Sequence, residues 1–315
     1  MVIPQKAPRR ASGASKPDFL RKCIRYKIYP PTHTTPTRKF SPRPRNIQSI
    51  LEILKPKPGD HLVGDAEFEN FERVATEAGS DAYVMQYVVG LLTGSSDIKK
   101  MQNVRFLNLK SMTDGEISAP RPHLCDGVEP ERVEDRNLLV TNFFLQAKGP
   151  HGRISVAQKQ VTLEGAYGSR MMHGLQNFGK ESPEFDDNAY TFSATYIEGV
   201  LSLFAHHVAA PIIHTNRHPG YHITLLRMFA LFDEPTFAGG IYALRAFREH
   251  ARKYREEFIE VANKRAENMP RLQEGRGADT GKDRTNEMLS WPGDDEYKGE
   301  DEASAPEKDS DAKSE

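Results

Sequence analysis

Cysteine is nearly absent from this chain. Two residues, Cys23 and Cys125, in 315 exclude a disulfide framework and fit a reducing compartment. No apolar run follows the first basic residues, so a secretory signal is not expected. Long hydrophobic runs are also missing. None reaches the roughly 18 apolar residues that a membrane-spanning helix needs. The best candidate, Val200 to Ile213, is interrupted by Ser202, His206, His207 and Pro211. These absences predict an intracellular protein of the nucleus or cytoplasm with no membrane partner. Apolar residues make up only 37 % of the whole, which points to sizeable solvated segments.

Net charge is small, −1, but the sum hides an asymmetry. Residues 1–45 hold twelve Lys/Arg and one acid, Asp18, whereas residues 294–315 hold ten Asp/Glu and three Lys. Neither end has enough apolar surface to offset the entropy of ordering. The division predicted from composition is a disordered basic tail over 1–45, one domain over 46–270, and a disordered acidic tail over 271–315. The basic tail is a candidate for nucleic-acid phosphates or an import signal. Its plain reading is a solvated tail, since no basic–aromatic interleaving accompanies Tyr26 and Tyr29. Eight prolines there argue against the amphipathic helix of a transit peptide.

Between the tails, periodicity predicts helices over Asn46 to Leu54, Glu67 to Ala78 and Ala82 to Leu92, the last stopping at Gly94. Val104 to Leu109 alternates like a strand, and a loop through Asp114-Gly115 and Pro120-Arg121-Pro122 follows. Leu138 to Lys148 is the central strand. Ile154 to Phe178 reads as one long helix, with Gly165 and Gly168 leaving room for close packing on a sheet. Ala189 to Ile197, Val200 to His207 and His222 to Phe229 read as strands, the first two joined at a Glu198-Gly199 hairpin. Pro235 to Asn268 closes the domain as a helix whose half from Arg245 to Glu267 is charged and expected to be largely solvated. The order predicts an α/β fold, a mixed sheet with helices on its faces. His214, His218 and His222 are spaced like helical metal ligands, but Pro219-Gly220 breaks any such helix, and a polar loop is expected.

The stretch with the most chemistry is Asn142-Phe143-Phe144-Leu145-Gln146-Ala147-Lys148-Gly149-Pro150. Side chains alternate along a strand, so Phe144, Gln146 and Lys148 share one face, and Phe143, Leu145 and Ala147 the other. Gly149-Pro150 then ends the strand. Taken alone, Gln146 and Lys148 read as a solvated strand end with Lys148 snorkelling.

That stretch, together with Gly165-Ala166-Tyr167-Gly168-Ser169-Arg170, Met172-His173-Gly174-Leu175-Gln176 and Asp187-Asn188-Ala189-Tyr190-Thr191, resembles a large fungal protein family over about Thr113 to Ala266. The family pattern in turn looks like the PD-(D/E)XK nuclease superfamily. The resemblance implies a restriction-endonuclease-like mixed sheet flanked by helices. It also implies a site in which an Asp, and a Glu two residues before a Lys, hold Mg²⁺. Such a cation is hard and favours anionic oxygen, lowers the pKa of bound water and neutralises charge on phosphate. This chain departs from the pattern at both acids. His123 stands in place of the Asp and Gln146 in place of the Glu, while Lys148 remains.

The expectation that follows is a catalytically degraded nuclease-like module that binds nucleic acid or a protein partner. His123, Gln146 and Lys148 mark its degenerate site, and no cofactor is expected. Two alternatives stay open. One is an active Mg²⁺-dependent nuclease in which Asp126 or Glu164 substitutes as metal ligand. The other is a protein-interaction module with no nucleic-acid role.

Overall fold

The computed structural model describes residues 11–34, 41–60, 62–106, 109–129, 139–211 and 218–268. The expected acidic tail over 271–315 lies outside the described residues.

Among the described residues seven strands form one mixed sheet in the order β1-β7-β6-β5-β4-β3-β2. In chain order these are β1 (Ile28–Tyr29), β2 (Lys100–Gln102), β3 (Leu124–Val128), β4 (Leu139–Lys148), β5 (Ala189–Ile197), β6 (Val200–Ala209) and β7 (Gly220–Ala230). β4 and β5 run parallel, as do β1 and β7, and the other neighbours are antiparallel. The parallel pair needs a crossover, which the helix α6 (Ile154–Asn177) supplies. The β5–β6 hairpin turns at Glu198 and Gly199, both with positive φ, 47° and 79°, the backbone of a tight two-residue turn.

Helices cover both faces. On one lie α2 (Ile47–Ile53), α3 (Asp65–Thr76), α4 (Asp81–Tyr83), α5 (Val89–Thr93) and the long α7 (Glu234–Asn268). A π turn, Val84–Val88, joins α4 to α5. These helices bury Phe71, Val88, Leu92 and Phe247 against Phe143, Leu145, Ala147 and Phe192 of the sheet. The other face carries α6 and α1 (Phe19–Arg25), with Phe144, Ala166, Tyr167 and Met171 in its core. β4 thus alternates as its sequence requires, Phe143 and Leu145 toward α7 and Phe144 toward α6. Gly165 and Gly168 set the closeness of α6. A Cβ at Gly165 would lie 2.0 Å from His206 Nδ1, and one at Gly168 2.6 Å from the Phe144 ring.

Four expectations need correction. The stretch 1–45 is not a uniform tail, because residues 11–34 dock on the domain. Phe19, Cys23 and Ile28 are buried, and Arg25 reaches Glu116 at 2.9 Å. A column of stacked rings fixes β1, with Tyr29 between His33 (4.7 Å) and His222 (4.8 Å), and His222 on His207 (5.2 Å). The i, i+4 pair Phe19/Cys23 is a local apolar signal that averaging over a basic stretch of forty-five residues dilutes. His222 therefore sits in the strand expected over His222 to Phe229 and not in the polar loop expected of the histidine trio, and His214 lies outside the described residues. Residues 104–106 are not a strand. The strand near them is β2, and β3 was hidden by Asp126-Gly127, residue types depleted in strands. Finally, the charged half of α7 is not simply solvated, since Arg248 and Arg255 are buried against the sheet.

Candidate functional site

β4 ends where the turn Gly149 to Gly152 leads into α6, and both glycines are sterically required. A Cβ at Gly149 would meet the Ser80 carbonyl carbon at 2.8 Å, and one at Gly152 would meet Lys148 Cβ at 2.3 Å. The end of β4 is therefore pressed against the N-terminus of α4. Ser80 caps that helix by accepting from Tyr83 N at 3.2 Å. Asp81, in its first turn, accepts from Gly149 N at 2.6 Å and from Lys148 Nζ at 3.4 Å. Lys148 is thus held over an acid that the sequence reading did not single out. A Ser-Asp helix start is legible, but its proximity to residue 149 is a tertiary fact.

Gln146 points from β4 toward α6 and is fully buried. Its Nε2 donates to Glu164 Oε1 at 2.5 Å and to the Arg121 carbonyl at 3.2 Å. Glu164 is buried too, and desolvation pushes its carboxyl up to about 8, against the smaller opposing effects of the Gln146 hydrogen bond and the Lys148 charge. The group is mostly neutral near pH 7. Gln146 Oε1 and Glu164 Oε2 have no hydrogen-bond partner among the described residues. His123 borders the same corner, its Nδ1 accepting from Ala147 N at 3.2 Å. Burial, reinforced by the Lys148 charge, pushes its imidazole down to about 4, so it is neutral at physiological pH.

His123, Gln146, Lys148 and Glu164 therefore come together, with Asp81 as the fifth member. Asp126 does not join them. It projects to the opposite face of the sheet, where Arg248 of α7 grips both carboxylate oxygens at 2.8 and 3.0 Å. The reason is register, since Asp126 lies opposite Phe143, on the α7 side, one residue out of phase with the face that Gln146 shares. Asp126 is thereby corrected as a metal-ligand candidate for this corner.

The corner does not suit Mg²⁺ as it stands. It offers one buried carboxyl, which is neutral, one amide oxygen and an imidazole already used by the backbone. Asp81 is committed to Gly149 and Lys148. Among the described residues no group of three or more His, Cys, Asp or Glu is placed to hold a metal ion. Chemically the cluster is a set of internal hydrogen bonds ending in one mostly covered cation, Lys148, with its side chain 12 % exposed.

No family model, no curated protein and no solved structure matches this chain. Among the described residues no helix is long and apolar enough to cross a membrane.

Proposed function

We propose that this chain is a nuclease-like module of the nucleus or cytoplasm that binds nucleic acid without cleaving it. The observation that carries the reading is the Gln146–Glu164 pair. Where metal-dependent cleavage needs converging anionic oxygens, this corner has an amide bonded to a carboxyl that burial keeps protonated. The Lys148 ammonium stands beside this neutral pair, 3.4 Å from Asp81, and is a suitable contact for a phosphate. Further basic groups lie on the α6 side of the sheet. Residues 11–34 carry Lys16, Arg21, Lys22, Arg25 and Lys27 against one acid, Asp18, and they pack on the α6 face. The opposite face carries the acids Asp65, Glu67, Glu69 and Glu72 of α3. Cys23 and Cys125 are free and buried, in keeping with a reducing compartment.

The test pairs cleavage with binding. Single- and double-stranded DNA and RNA are incubated with the protein in Mg²⁺ and in Mn²⁺, and affinity is followed by fluorescence anisotropy from low to high salt. No cleavage is expected, and affinity should fall steeply with salt. Exchange of Lys16 and Arg21, both exposed, for Glu should weaken binding about equally across sequences. Salt-insensitive binding, or none, would sink the reading.

A second reading rests on one observation, the two unpartnered buried oxygens, Gln146 Oε1 and Glu164 Oε2. Metal-dependent turnover that vanishes on Lys148→Ala would favour an active nuclease over a binding module.

A further inference from the structure

The two edges of the sheet are built differently. β2 is three residues long, and Lys100 on it, with Lys99 just before it, places charge at this edge, a common means by which edge strands refuse further pairing. At the other edge β1 pairs with Tyr221 and His222 of β7 and with nothing beyond them. Pro30 and Pro31 follow at once. Neither has an N–H to offer the next positions of β7, so the chain leaves the sheet. Among the described residues no strand pairs with the outer edge of β7 from Ile223 to Ala230.

This open run carries one full charge, Arg227. Leu225 is 41 % and Met228 60 % exposed. The β6–β7 register slips between Leu203 and Phe204, leaving Leu226 as the extra residue of a bulge. Leu225 and Met228 then face Phe204 and Ser202, two apart on β6, and become neighbours on one face. The bulge adds twist, which shortens the run able to pair but does not supply a partner for it.

We propose that the open edge of β7 pairs antiparallel with β7 of a second copy of this chain, extending the sheet across a two-fold axis. A row of unpaired backbone N–H and C=O groups selects an extended strand as its occupant. A second copy satisfies the side chains as well. In a two-fold pairing centred between Leu225 and Leu226, Arg227 faces Thr224 and Met228 faces Ile223, so the single cation never meets its own copy. A run of eight residues is about 26 Å long at the usual strand rise. A strip of that length buries well under the ~800 Å² per partner of a standard stable complex. The dimer is accordingly weak and concentration-dependent.

Sedimentation equilibrium of the full chain from low to high micromolar concentration tests this. The mass should rise toward twice the monomer value. Leu225→Lys with Met228→Lys, at exposed positions, should keep the melting temperature within a few degrees and raise the dimer dissociation constant at least tenfold. Amides from Ile223 to Ala230 should exchange more slowly with deuterium as wild-type concentration rises. A wild type that stays monomeric throughout, or a dimer equally strong in the double variant, overturns the proposal. So does concentration-independent protection of these amides in the monomer, which would hand the edge to a segment of the same chain.

Discussion

Among the described residues each face of the sheet buries one carboxyl, and the two are stabilised in opposite ways. Asp126, on the α7 side, is gripped by the Arg248 guanidinium, with both side chains essentially inaccessible. Burial raises its pKa and the arginine opposes that rise. Glu164, on the α6 side, has no cation in hydrogen-bond contact. Its partner is the Gln146 amide, and it answers burial by keeping its proton. A desolvated acid needs either a counter-charge or a proton. Which of the two it receives decides whether the site can act on a cation or a phosphate. The ion pair is closed on itself. The neutral pair leaves the neighbouring Lys148 with Asp81, which is half exposed, as its counter-charge.

The ion pair should be the more fragile of the two when one member is removed. Arg248→Met strips the buried carboxylate of its partner and also frees the Thr93 carbonyl at 3.2 Å. Urea unfolding should show a loss on the order of 3–5 kcal/mol. Adding Asp126→Asn to that variant should recover part of the loss. Additive losses in the double variant would show that the two residues are not coupled.

Next in size comes Gln146→Glu, which sets a second carboxyl against Glu164. Two such groups cannot both ionise cheaply. The melting temperature at pH 8 in chelator should fall by several degrees and recover when Mg²⁺ or Mn²⁺ is added, since a ligand held only by the folded state stabilises it. His123→Asp in the same chain should enlarge the recovery. Wild type should not respond. Indistinguishable metal titrations for the three proteins would mean that residues 123 and 146 do not face a common point.

The pH dependence of Glu164 is gentler. Its folded value near 8 stands above its ordinary 4.5, so the folded chain holds a proton that the unfolded chain releases within that window. The contribution is complete below about pH 4.5 and is lost as pH rises through about 8. Against Glu164→Gln measured at each pH, wild type should lose stability between pH 5 and 8.5 with a slope of at most about 1.4 kcal/mol per pH unit. The buried histidines His206, His207 and His222, all pushed well below 6.5, act at the acid end and cancel in this comparison. A constant gap between the two proteins would show that Glu164 is ionised throughout.

The smallest effect belongs to Asp81→Asn. Its ion pair with Lys148 is 47 % exposed on the Asp81 side. The Gly149 amide keeps an oxygen acceptor. A cost below about 1 kcal/mol is expected in urea unfolding, and a larger one would place Asp81 with the buried acids.

What the sequence made legible follows from contact range. β4, α6 and the β5–β6 hairpin are strongly periodic or carry turn chemistry, so their existence and the facing of Gln146 could be read locally. The Gly165/Gly168 stripe on α6 was legible for the same reason. The partners of the buried acids were not, because Arg248 is 122 positions from Asp126 and Asp81 is 67 from Lys148. The expectation that Asp126 could replace a lost ligand failed on register alone. Without β3 in hand, nothing in the residue order tells which side of the sheet it faces.

The placement of α7 bears on how the molecule is assembled. Its arginines close work begun much earlier in the chain. Arg245 caps the Leu91 and Leu92 carbonyls, Arg248 meets Asp126, and Arg265 caps the end of α6 through the Gln176 and Phe178 carbonyls. Every described strand ends by Ala230, whereas Arg248, which grips Asp126, follows it in the chain. Until α7 packs, that face of the sheet is open to water, which hydrates the Asp126 carboxylate. The last helix therefore brings the counter-charge in the same step that takes the water away from Asp126.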